Sequence, residues 1–389
     1  MNEMDNGRNV GENEKQEGGA EAPRFFVGLG ASAGGLEAIE GFFGGMPKGQ
    51  GLAFIVVQHL SPDHKSLMVE LLSKKTEMEV KRAEHGMRVE PEKVYLIPPK
   101  HDLKLFHGKL VLEEYDPEEK LHLPIDVFFR SLAEDVSDKA VGIVLSGTGS
   151  DGARGVRAIK EAGGMVMIQD RGSARFDGMP RAAASTGVAD FILPPEEMPR
   201  RLMALTRPIR SKVSQEADSN LRNREDSLTR LFNALRERTK VDFTYYKHST
   251  ILRRIERRMM LNGIDGFDEY VDFVLRYPGE ITALYKELLI GVTRFFRDGP
   301  SHQVLRERWL PTVLNPDPPR ELRFWVAGCS SGEEAYTLAI LTRECMEEAG
   351  VRNDVKIFAT DIDKQALSRA AEGLYPEGIA ADVDSDLLN

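Results

Sequence analysis

The chain has 389 residues, 41% of them hydrophobic and 29% charged, with a formal net charge of -10. That balance describes a globular polypeptide of two or three domains, and the negative charge excludes general nucleic-acid binding, which needs positive potential to neutralise phosphates. No apolar run reaches the roughly 18 residues of a membrane span and the N-terminus lacks the basic-then-apolar order of a secretory signal, so a cytoplasmic protein with no membrane insertion is expected.

Residues 1–23 are rich in Gly, Asn and Glu and almost empty of large apolar side chains. They cannot bury enough surface to offset ordering entropy, and a disordered tail is expected. From Arg24 onward, short apolar runs such as Phe25-Phe26-Val27 and Phe54-Ile55-Val56-Val57 are each followed by glycine-rich turns and segments with helical spacing. Further runs begin at Val94, Val141, Met165 and Phe191. This alternation predicts an α/β domain with a doubly wound parallel sheet over 24–205. Residues 206–226 read as a linker, and 227–290 as a small helical subdomain with Leu228, Leu231, Phe232 and Leu235 on one buried face. Residues 291–389 hold two strand-like runs, Leu322 to Ala327 and Val355 to Ala359, around a Gly328 to Gly332 turn and a helix: the start of a Rossmann-like domain. Cys329 and Cys345 are too few for a disulfide framework or a four-ligand zinc site and read as packing residues. No metal site is expected.

The first strand runs into Gly28-Leu29-Gly30-Ala31-Ser32-Ala33-Gly34-Gly35. Within it, Gly30 to Gly34 fits G-x-S-x-G, where small neighbours let a serine hydroxyl project and helix-start amides can stabilise an oxyanion. The same residues nearly read as a G-x-G-x-x-A dinucleotide fingerprint, and the pattern alone does not decide between them. The next strand does. A nucleotide site asks for an acidic residue there to hold the ribose, yet Phe54 to Val57 leads into Gln58-His59-Leu60. His59 thus stands at the carboxyl edge of the sheet, one strand from Ser32, with an imidazole suited to act as a base at neutral pH. A third buried strand ends in Ser146-Gly147-Thr148-Gly149-Ser150-Asp151-Gly152. Asp151 reads either as a cap for the following helix or as the carboxylate that orients the histidine.

These runs, with Tyr95-Leu96-Ile97-Pro98-Pro99 and Gly178-Met179-Pro180, resemble the catalytic domain of the CheB-type chemotaxis methylesterases. The resemblance implies Ser32 as nucleophile, His59 as general base and acid, and Asp151 as orienting carboxylate. It also implies hydrolysis of glutamyl methyl esters, and deamidation of glutamines, on a methyl-accepting chemotaxis receptor or similar signalling protein. Two departures stand out. Thr148 occupies the position where the family usually has methionine, and the family's usual N-terminal receiver domain is not seen, so phosphorylation gating of the standard kind is not expected.

In the last segment, Gly328-Cys329-Ser330-Ser331-Gly332-Glu333-Glu334 lies between a strand and a helix, where glycines allow close approach of a cofactor. The second strand leads into Thr360-Asp361, which puts a carboxylate where a ribose diol could bind. With Thr293-Arg294-Phe295-Phe296-Arg297 and Trp325-Val326-Ala327, this segment resembles the CheR-type protein-glutamate methyltransferases. That resemblance implies S-adenosylmethionine as cofactor, with Thr293, Arg297, Glu334 and Asp361 as its contacts, and the helices of 227–290 as the N-terminal subdomain. One of those helices is strongly basic. Arg253, Arg254, Arg257 and Arg258 read either as a solvated face or, by the resemblance, as a docking surface for an acidic receptor segment. After Leu322 the remaining length holds two strands and two helices, fewer than a complete cofactor fold, so an incomplete transferase is expected beside a whole esterase. The rival expectation is a signalling scaffold that keeps the esterase fold without its chemistry.

Overall fold

The computed structural model describes residues 22–58, 67–114, 122–206, 221–289, 291, 293–314 and 321–388. The expected tail lies outside them up to residue 21, as does most of the expected linker.

The first unit alternates strand and helix: β1 (Phe25–Ala31), α1 (Gly35–Gly44), β2 (Leu52–Gln58), α2 (Leu67–Ser73), β3 (Glu79–Arg82) and β4 (Lys93–Leu96). A hairpin follows, β5 (His101–Phe106) with β6 (Lys109–Glu114). Then come α3 (Pro124–Val136), β7 (Ala140–Val144), α4 (Ala153–Glu161), β8 (Met165–Gln169), α5 (Gly178–Ser185), β9 (Phe191–Leu193) and α6 (Met198–Thr206). Seven strands form one sheet in the order β3-β4-β2-β1-β7-β8-β9, every pair parallel. The sheet is the doubly wound one the alternation predicts. Side chains on the strands alternate between two cores, as a period of two requires. Leu29, Phe54 and Ile143 meet α1, α2 and α6 on one face, while Phe26, Ile55 and Val144 meet α3, α4 and α5 on the other.

The order reverses at β1, which pairs with β2 on one side and β7 on the other. In open α/β sheets the crevice beyond the carboxyl ends of the strands at such a reversal is where ligands bind. Ser32 follows β1, His59 follows β2 and the loop to Asp151 follows β7, so the topology brings three neighbouring strand ends to one edge.

Two glycines of β1 are explained by packing against α3. A Cβ built on Gly28 would lie 2.8 Å from Phe128 and 2.9 Å from Phe129, and one on Gly30 would lie 2.4 Å from Ile125 Cγ2. The bare strand lets α3 sit close, with its first turn over the carboxyl end of β1.

The second unit comprises α7 (Leu221–Thr239), α8 (His248–Asn262), α9 (Phe267–Arg276) and α10 (Pro278–Leu288). Helix α7 begins at Leu221, so the last part of the expected linker is helical. Leu231, Phe232 and Leu235 are buried with Phe243, Ile255, Tyr270 and Leu284, and Leu228 packs beside them. In the third unit α11 (Gly299–Val304) passes through a π-turn into α12 (Leu310–Val313). Strands β10 (Leu322–Ala327) and β11 (Val355–Thr360) then pair in parallel around α13 (Glu333–Ala349), and α14 (Lys364–Glu372) follows. Among the described residues this sheet has two strands, and the register sets Trp325 beside Phe358, 73% and 53% exposed.

Gly30→Ala is expected to cost about 1–3 kcal/mol through overpacking against Ile125, read as a lower urea midpoint at unchanged slope. A midpoint equal to that of the wild type would mean that α3 can shift without penalty.

Candidate functional site

Ser32 sits in the turn between β1 and α1, partly buried. Gly34, at φ 68°, takes the left-handed conformation that ends this turn and precedes the helix, where any other residue would be strained. The turn is fastened to the loop after β7. Ser32 N donates to Ser146 O at 3.0 Å, and Ser146 Oγ donates to Ala33 O at 2.9 Å while accepting from Phe176 N at 3.0 Å. Ser146 is fully buried, and its own N–H donates to Gln169 Oε1 at 2.7 Å. A Cβ on Gly147 would lie 2.1 Å from Met179 Sδ and 2.9 Å from Ser32 Cβ. The S-G-T-G-S-D-G loop therefore lies directly against the serine, and its glycine is required by that approach. Thr148 is exposed on the loop.

Asp151 closes the loop and is 2% exposed. Its carboxylate accepts three backbone hydrogen bonds: Oδ2 from Ile125 N at 3.0 Å, Oδ1 from Asp126 N at 2.9 Å and from Gly152 N at 2.9 Å. Helix α3 has no side-chain cap of its own, so Asp151 caps it from another part of the chain. Capping and orientation are thus compatible rather than alternative readings, since three N–H donors hold the carboxylate in one direction. The serine and the aspartate are brought to neighbouring strand ends. His59 lies outside the described residues.

Beside Asp151 lies a residue that the sequence reading missed. Asp126, in the first turn of α3, is 3% exposed. Its Oδ1 accepts Gly155 N at 2.6 Å, and its buried Oδ2 has no hydrogen-bond partner among the described residues. Burial first, and the neighbouring Asp151 carboxylate second, push the Asp126 carboxyl up to about 7. In sequence it reads as an ordinary acid near a helix start. Ser146 and Gln169 were also missed; the position of Ser146 at the head of the glycine loop was the one available signal.

The expected cofactor contacts do not converge. Thr293 and Arg297 line a cavity of about 520 Å³ between the first and third units, with Phe295, Tyr375, Arg154 and Arg157. Asp361 and Glu334 are not on its wall. The Asp361 carboxylate accepts Ser330 N at 2.7 Å and Asp363 N at 2.7 Å, which fastens the glycine turn to the end of β11. Glu334 is exposed, and it is Glu333 that is buried, accepting the Ser331 hydroxyl at 2.7 Å. Thr293 and Arg297 thus share one cavity, while Asp361 and Glu334 lie off its wall. Both cysteines are buried and free, as expected of packing residues.

The basic helix departs from the expectation of a free docking face. Arg254 and Arg257 are each 6% exposed. Arg257 bridges Asp190 of the first unit and Glu287 of α10. Lys160, at the end of α4, meets Asp190 at 2.7 Å and Glu287 at 3.1 Å. Arg254 donates to the carbonyls of Lys160 and Glu161 at 3.0 and 3.2 Å, a cation at a helix C-terminus. Burial would raise the Asp190 carboxyl, but Arg257 and Lys160 outweigh it and hold it below its ordinary value. Arg258 clasps Glu280 through two hydrogen bonds at 2.8 and 2.6 Å. Of the four arginines, Arg253 is the one classed as exposed. The physical reason is charge matching: two carboxylates, Asp190 and Glu287, require these cations once the units close on each other.

Comparisons with known proteins agree in outline. Residues 27–202 match the CheB methylesterase family, 226–289 the CheR methyltransferase all-alpha domain, and 291–389 the CheR methyltransferase SAM binding domain. An uncharacterised 104.1 kDa protein of Rhodobacter capsulatus is 38% identical over 342 residues, 82% of this chain and 36% of that protein. A protein-glutamate methylesterase/protein-glutamine glutaminase of Pseudomonas fluorescens is 36% identical over 186 residues, 47% of this chain and 55% of that protein. The crystal structure of the Thermotoga maritima CheB methylesterase catalytic domain aligns at 30% identity over 46% of this chain and 98% of that one, with a TM-score of 0.44. The chain thus spans about a third of the Rhodobacter protein's length and about half of the Pseudomonas protein's. Among the described residues, no helix is long and apolar enough to cross a membrane.

An unfolded aspartate ionises near pH 4, so between there and about 7 the folded chain keeps a proton on Asp126 that the unfolded chain has released. Stability then falls as pH rises across that window, by at most about 1.4 kcal/mol per pH unit. Asp126→Asn is expected to remove this slope, measured as urea-unfolding free energy from pH 5 to 8; parallel curves for variant and wild type would contradict it. Arg257→Ala removes one of the two cations that bridge Asp190 and Glu287, leaving Lys160 alone between them, and is expected to cost about 3–5 kcal/mol. Arg253→Ala, at the exposed neighbour, should stay within about 0.5 kcal/mol. Equal effects from the two would show that the buried network carries no stability.

Proposed function

The chain joins a CheB-type methylesterase domain to the two domains of a CheR-type methyltransferase, and on that premise we propose that its first half hydrolyses glutamyl methyl esters on a chemoreceptor-like protein, with Ser32, His59 and Asp151 as the catalytic set. The observation that carries this reading is the fastening of the serine turn to the Asp151 loop, through Ser32 N to Ser146 O and through the glycine at 147 that admits the serine.

The chemistry is two-step acyl transfer. Ser32 Oγ attacks the ester carbonyl as His59 takes its proton; the tetrahedral intermediate collapses when His59 returns that proton to the departing methanol. Water, activated by the same base, then attacks the acyl-enzyme and frees the glutamate and the serine. Asp151 stays ionised throughout, orienting the imidazole and stabilising its protonated form. The relatives named protein-glutamine glutaminases extend the proposal to glutamine side chains, where ammonia leaves in place of methanol. S-adenosylmethionine is proposed as the cofactor of the second half, with Thr293 and Arg297 the contacts best placed to face it across the cavity, and the cytoplasm as the site of action. Receptor docking through the basic helix would engage Arg253 first, since its three neighbours are held within the chain.

Purified chain is expected to release methanol from a methylated receptor fragment, and Ser32→Ala to lower the rate about a thousandfold or more. Release that survives Ser32→Ala would remove the serine from its role. No release from any methylated receptor segment, with Ser32 intact and the fold verified, would sink the esterase reading itself.

A further inference from the structure

Two carboxylates meet where the first turns of α3 and α4 come together, and backbone N–H groups serve them unequally. Asp151 takes the N–H groups of Ile125, Asp126 and Gly152 on its two oxygens. Asp126 has Gly155 N on Oδ1 and, among the described residues, no partner on its enclosed Oδ2. Both side chains are buried, at 2% and 3% exposure. Two carboxylate anions side by side out of water repel strongly, and the one with more donors keeps the charge. The other charged group acting on Asp126 is Arg154 of α4, whose guanidinium is engaged by Asp382 and the carbonyl of Gly378.

We propose that Asp126 is a positioning residue of the esterase, a protonated carboxyl group that leaves Asp151 the single anion at this helix start and holds it in its working orientation. The role rests on the reading of Asp151 as the carboxylate that orients His59. A proton on Asp126 Oδ2 removes the repulsion that would otherwise push the Asp151 carboxylate off its three donors. With its carboxyl raised to about 7, Asp126 carries the proton below neutral pH. Above it, Asp126 ionises and the repulsion returns, loosening the Asp151 carboxylate from its donors. The wild-type rate should therefore rise as the base loses its proton and fall again as Asp126 ionises.

Labelling of Ser32 by a fluorophosphonate reads the activated serine without needing a receptor: the serine oxygen displaces fluoride at phosphorus and its proton passes to the base. Wild type is expected to be labelled and Ser32→Ala not. Asp126→Ala should slow labelling about tenfold to a hundredfold, the range a displaced catalytic group produces, and Asp126→Asn, neutral and of the same shape, should recover most of that loss. The pH profile of Asp126→Asn should be a single ionisation that rises to a plateau, without the wild type's fall at higher pH. If Asp126→Ala proves unfolded, the comparison of Asp126→Asn with wild type across pH still decides. A labelled wild type whose profile superimposes on that of Asp126→Asn overturns this role alone, as does an Asp126→Asn as slow as Asp126→Ala. A wild type that no fluorophosphonate labels overturns the serine reading and this role with it.

Discussion

The capping of α3 by Asp151 is the constraint on which the first domain depends. A helix start needs acceptors for its free N–H groups, and here they come from a carboxylate 25 residues away in sequence. That single tie fixes the first turn of α3 over the end of β1, and Gly28 and Gly30 let it come that close. The same tie immobilises the carboxylate at a neighbouring strand end to Ser32. One set of hydrogen bonds therefore serves the packing of a helix, the shape of the crevice and the direction of a charged group. The ordinary explanation of Asp151 as a cap and the catalytic one are two descriptions of the same contacts.

Much of this was legible in the amino-acid order. Short apolar runs with period-two burial and glycine turns are local signals, and they identify the strands, the helices and the strand-end positions of Ser32 and Asp151. Gly30 and Gly28 were legible as special but not as to purpose, because the dinucleotide pattern claims both and the serine elbow claims Gly30 as well; the packing of Ile125, Phe128 and Phe129 accounts for the two glycines. Asp126 was not legible, since nothing local distinguishes a solvated acid near a helix start from a buried one whose neighbour arrives from residue 151. The arginines of α8 failed for the same reason. Their spacing reads as a basic face, and only the partners supplied by Asp190 and Glu287 turn that face inward.

The buried network between the domains carries its own logic. Lys160, Arg254 and Arg257 set three cations against Asp190 and Glu287, and the remaining positive charge is met by carbonyl oxygens at the end of α4. Burying charges is costly unless each finds partners, so such an arrangement specifies one relative placement of the domains more sharply than apolar contact would. The esterase and helical domains are held in register by matched charge, while the cavity between the first and third domains is lined by Arg154, Arg157 and Arg297 with Phe295 and Tyr375.

The position of β1 at the middle of the sheet also bears on how the polypeptide reaches this state. Gly28 pairs with Gly142, and Ser32 finds its carbonyl partner only at Ser146. On a ribosome, Ser32 emerges before Ser146 and waits while more than a hundred residues are added before its turn can close. Contacts so distant along the chain are slow to form, and an unfinished nascent domain carries a serine without an elbow. The turn that holds Ser32 is thereby left open until the loop after β7 has been made.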